Sequence, residues 1–115
     1  MKDFEKALDL IAKETKTYRE ASVNDGETLN KCLQQISATL AYLETIRAEY
    51  HKEWQLTVND LIIRNGLSVS RAENEAHVKV PEMYLLRRVM DGSYEVIGAI
   101  RTNISYLKSE RNATM

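Results

Sequence analysis

Few residues in this chain could punctuate or staple a fold: 115 residues contain one cysteine, one proline and four glycines. Cys32 alone forms no intrachain disulfide and offers no thiolate cluster to a metal, which suits a reducing compartment. Scarce proline and glycine remove the turns that a many-stranded β protein needs, so all-α is the expectation. No apolar run is long enough for a signal peptide or a membrane span, and charges recur from Lys2 and Asp3 onward. A cytoplasmic protein with no membrane contact is expected. Neither sign of charge prevails, with 16 basic and 17 acidic side chains, so attraction to nucleic acid would need a local patch.

Catalytic patterns are missing too. The glycines are isolated from one another, which leaves no phosphate loop and no dinucleotide fingerprint, and no nucleophile elbow is present. His51 and His77, the two histidines, fall in different segments without ligand spacing, so no metal, cofactor or active site is expected and the chain does not read as an enzyme. Asn103-Ile104-Ser105 and Asn112-Ala113-Thr114 match the glycosylation sequon, but without a secretion signal they read as chance.

What is present is a heptad rhythm written twice. Leu29, Leu33, Ile36, Leu40, Leu43, Arg47, Tyr50, Trp54, Thr57 and Leu61 step alternately four and three residues. The rhythm resumes through Ala76, Lys79, Met83, Leu86, Met90, Ser93, Ile97, Ile100, Ile104 and Leu107. Each series places one apolar seam along a helix, the pattern by which two helices specify each other. Phe4, Leu8, Ile11, Thr15 and Tyr18 mark a shorter amphipathic helix over 3–20, with Asp3 as its cap. The expected domain is a single one over 1–115: this helix, a first hairpin arm over 26–65 and a second over 70–110, coiled-coil-like and suited to a helical bundle.

Local signals bound these arms. Asn24 or Asp25 offers a cap for the first arm, and Asn65-Gly66-Leu67 reads as a left-handed stop. Ser70-Arg71-Ala72-Glu73 has capping-box form, so the second arm doubles back on the first. Register from a turn at 66–69 sets Trp54 near Pro81 and Met83, and Leu43 near Gly92. Pro81 should kink the second arm. Seam phase is kept across Asp91-Gly92, which favours one continuous helix over two that meet at Gly92. The polar tail from Ser109 to Met115 should fray.

Several side chains lie off this scheme. Arg47 on the seam either pairs with Asp91 or Glu95 across the hairpin or extends its head into water. Ile46, Val58, Ile63, Val78, Leu85, Val89 and Val96 exceed what a two-helix hairpin can bury, which points to a homodimer or a protein partner. Arg87, Tyr94, Arg101 and Lys108 recur every seven residues with Arg88 alongside, a basic stripe with an aromatic inside it. Such a stripe suits either a phosphate backbone or acidic residues of the opposite arm, for example Glu44. The reading that follows is a non-enzymatic interaction or scaffold protein, with a nucleic-acid-associated factor as the alternative.

The stretch from Ser70 to Arg111, with Arg-Ala-Glu near its start and Tyr-Leu-Lys-Ser-Glu-Arg at its close, resembles short helical accessory proteins of bacteriophages and prophages. The resemblance covers about a third of the chain. It implies a role in recombination or packaging assemblies and transfers no functional residue.

Overall fold

The structure is a computed structural model and describes residues 4–113. Four helices follow one another: α1 (Phe4–Glu20), α2 (Gly26–Asn65), α3 (Val69–Lys79) and α4 (Pro81–Ala113). Among the described residues there is no strand, and no helix is long and apolar enough to cross a membrane. The chain is therefore all-α. α3 and α4 return along α2 in a rod of 68 × 29 × 20 Å, with a radius of gyration of 19.2 Å. A compact domain of this length would have a radius of about 13 Å, so the long seams dictate the shape.

The helix ends show how the sequence punctuates itself. Asp3, the cap expected for α1, lies outside the described residues. Asp25 caps α2, accepting from the Thr28 backbone N–H at 3.0 Å and the Thr28 hydroxyl at 2.7 Å. Those hydrogen bonds favour the charged form and hold the Asp25 carboxyl below its ordinary value. At the other end Gly66 takes the left-handed conformation (φ 65°), and its N–H reaches the Ile62 carbonyl at 3.2 Å. A side chain here would meet no neighbour, so backbone conformation alone calls for glycine.

Two boundaries differ from the sequence reading. The cap of α3 is Ser68, whose hydroxyl accepts from the Arg71 N–H at 3.3 Å, and not Ser70. Ser68 is extended immediately after the left-handed turn, so the helix begins earlier than the capping-box pattern suggested and no box forms with Glu73. At Pro81 the second arm does not merely kink. Val80 leaves helical geometry (φ −126°, ψ 67°), and a new helix starts with Pro81 as its first residue. Proline forces the preceding residue out of the α region, while at a first helical position its missing N–H costs nothing. The break moves the seam: Lys79 is exposed and Val80 is buried in its place, after Ala72 and Ala76. α4 then runs unbroken through Gly92 to Ala113, past the point where fraying was expected; the last two residues of that tail lie outside the described range.

Below the middle of the rod three helices share one core. Leu29, Ile36 and Leu43 of α2 meet Leu86, Met90, Ile97 and Ile100 of α4, and Phe4 and Ile11 of α1 close the side. α1 is fixed at both ends. The Phe4 ring stands edge-on to Tyr50 at 5.7 Å, and Asn103 donates to the Tyr18 hydroxyl at 3.0 Å. Thr39 and Ser93, both buried, return their hydroxyls to carbonyls of their own helices at 2.8 and 2.7 Å, which satisfies them without a partner helix. Cys32 is buried in this core; burial and the nearby Glu14 carboxylate push its thiol up, so it packs rather than reacts.

Above that level only two layers remain. Val58 and Leu61 pack on Ala72 and Ala76, with Trp54, Ile62 and Leu67 at the edges. Ala72 and Ala76 are fully enclosed, so α3 lies close against α2.

Candidate functional site

The basic row is real as a surface but is divided in what it touches. Arg87, Tyr94, Arg101 and Lys108 are all exposed along α4, as their seven-residue spacing requires. Tyr94 donates its hydroxyl to Glu44 across the hairpin at 3.0 Å, and the other Glu44 oxygen meets Arg47 at 3.3 Å. Arg47 thus pairs on its own helix and not with Asp91 or Glu95, because Glu44 stands one turn away on the same face. By accepting this hydrogen bond, the Glu44 carboxylate favours the protonated phenol and raises Tyr94 above its ordinary value. Arg87 and Asp91 border the same polar pocket of about 190 Å³, so two cations and two carboxylates balance there. Arg88 belongs elsewhere. It lies over the Tyr84 ring at 5.9 Å, on the side toward α1.

Folding also gathers a set of rings that spacing alone did not reveal. His51 stacks on Trp54 at 5.9 Å, Trp54 lies 5.5 Å from His77, and His77 meets Tyr84 edge-on at 6.4 Å. Trp54 therefore faces His77, about a turn before the Pro81 and Met83 neighbourhood that the register suggested. The two histidines flank one indole instead of sharing a ligand position, and among the described residues no group of three potential metal ligands gathers. Two buried nitrogens in this band, His51 Nδ1 and Trp54 Nε1, lack a hydrogen-bond partner. A sequence signal existed in hindsight: Trp54 and His51 are one turn apart, and His77 and Tyr84 are seven residues apart across the break.

The surplus apolar side chains separate into two groups. Val58 is buried, and Ile46, Val89 and Val96 are half-buried against the main core. Ile63 and Val78 remain 81% and 79% exposed, and Leu85 is exposed as well. A furrow of about 460 Å³ runs between α1 and α4, and its charged lining consists of Lys16, Arg19 and Arg88.

No match was found to any family model, curated protein or solved structure.

Proposed function

We propose that this chain is a non-enzymatic helical interaction protein that forms a homodimer through the hairpin tip. The observation that carries this reading is the unequal cover along the rod. α1 supplies a third helix to the lower half, while the tip is two helices deep and displays Leu56, Ile63, Val69 and Val78. A second copy placed on the tip would supply the two missing helices and complete a four-helix bundle, in the twofold arrangement commonest for closed assemblies. An assembly role in a bacteriophage or prophage, in line with the resemblance of the Ser70 to Arg111 stretch, belongs to this proposal.

Sedimentation at micromolar concentration tests it. The 13.2 kDa chain should run at twice its mass. Replacing Ile63 and Val78 together by glutamate should return it to one chain with unchanged helicity. A wild-type monomer would remove the dimer.

A second reading, a nucleic-acid-associated factor, draws on Arg87, Arg101 and Lys108 sharing one exposed face. Glu44 and Asp91 weaken the field there, and Tyr94 is already hydrogen-bonded to Glu44, so interaction with protein is favoured.

A further inference from the structure

The geometry points to the furrow between α1 and α4 as the docking site for an acidic amphipathic helix of a partner protein. This inference rests on the reading of the chain as an interaction protein, but not on its dimer. The floor is aliphatic, formed by Leu8, Ile11 and Ala12 from α1 and by Val89 and Val96 from α4. Those side chains repeat at helical spacing on both walls, which provides the groove that an apolar helix face fills. About a third of the way along α4, Gly92 opens the floor. A Cβ built there meets nothing within 4 Å, so a large apolar side chain of an incoming helix has room at that point.

Charge selects the occupant. Lys16 and Arg19 stand on the α1 rim and Arg88 on the α4 rim, all exposed, and no aspartate or glutamate lines the furrow among the described residues. In a chain of net charge −1 this local excess of three cations is not a general surface property. An apolar floor with a cationic rim complements a helix carrying leucine or phenylalanine on one face and carboxylates on its flanks. A bare phosphate backbone would satisfy the rim but leave the aliphatic floor wet. The lined part of α1, from Leu8 to Arg19, gives a wall of about 18 Å, which matches about three turns of a partner helix.

The test uses the full chain and two labelled peptides of about 18 residues, each with leucine at every third or fourth position, one flanked by glutamate and the other by lysine. Fluorescence anisotropy should show the glutamate peptide bound at least about tenfold more tightly, with affinity falling as salt rises. Gly92→Trp should abolish that binding while circular dichroism and sedimentation stay as in the wild type, since the Cβ enters open space. Lys16→Glu with Arg88→Glu should shift the preference to the lysine peptide. Equal binding of the two peptides, no binding at all, or unchanged affinity in Gly92→Trp would overturn the inference. So would capture of a twelve-carbon fatty carboxylate without either peptide. A dimer that ignores both peptides refutes the furrow alone, and a monomer that binds the acidic one refutes the dimer alone.

Discussion

Leu86→Ala should lower the unfolding free energy by about 2–5 kcal/mol, whereas Leu85→Ala, one residue earlier, should change it by no more than about 1 kcal/mol. Both residues are leucines in the first turns of α4, and their helix propensities are the same. Leu86 is 0% exposed between α2 and α4, and Leu85 is 46% exposed on the outer side of the rod. Removing the Leu86 side chain forfeits its transfer free energy and leaves a cavity in the core that α1, α2 and α4 share. Removing the Leu85 side chain takes away surface of which about half is already in water, and it leaves no enclosed cavity. Urea denaturation of the two variants measures the difference. Comparable losses would mean that α4 presents another face to α2. If the protein dimerises, both measurements must be made at one protein concentration.

The second large effect comes from adding volume. Ala76→Leu should destabilise the fold by about 1–3 kcal/mol, although leucine and alanine are both strong helix formers. Ala72 and Ala76 are both fully enclosed beneath Val58 and Leu61, and the close approach of α3 to α2 depends on their small size. A larger side chain has to push α3 away or adopt a strained rotamer. Asn74→Leu, at an exposed position of the same helix outside the proposed dimer contact, provides the comparison and should leave the unfolding midpoint nearly unchanged. Stabilisation by Ala76→Leu would reveal unfilled space at the tip.

The two effects divide along the line between what periodicity shows and what it hides. The seams of α2 and of α4 after Met83 were legible because a strict alternation of four and three residues admits one buried face, and seam positions such as Ile36, Leu40, Leu43, Met90 and Ile97 are buried. Gly66 was legible because few residues tolerate a left-handed stop. Around Pro81 the periodicity misleads. Lys79 fits the heptad arithmetic, yet the break at Val80 rotates α3 so that Ala72, Ala76 and Val80 turn inward. Alanines at four-residue spacing carry little hydrophobic signal, so the buried contact that Ala72 and Ala76 make in the tip is hard to read from the sequence.

Surface chemistry was less legible for a related reason. A row on one helix predicts which residues share a face, but not what the neighbouring helix offers to it. Arg87, Tyr94, Arg101 and Lys108 do line up, while the bond from Tyr94 to Glu44 spans fifty residues and the Trp54 to His77 contact depends on the exact register. The furrow beside Gly92 depends on how α1 leans, which is set by Phe4 against Tyr50 and Tyr18 against Asn103. None of these contacts leaves a local trace.

The central claim is that the two arms lie side by side to their far ends, where Gly26 and Leu107 meet within van der Waals reach, 3.7 Å from an ideal Cβ to Leu107 Cδ1. Spin labels at Glu27 and Lys108, in a Cys32→Ser background diluted with unlabelled chain, measure that arrangement directly. Packed helix axes lie about 8–10 Å apart, so the labels should fall within about 25 Å of each other. A distance of about 60 Å or more, the length of an arm swung open about Gly66, would contradict the account.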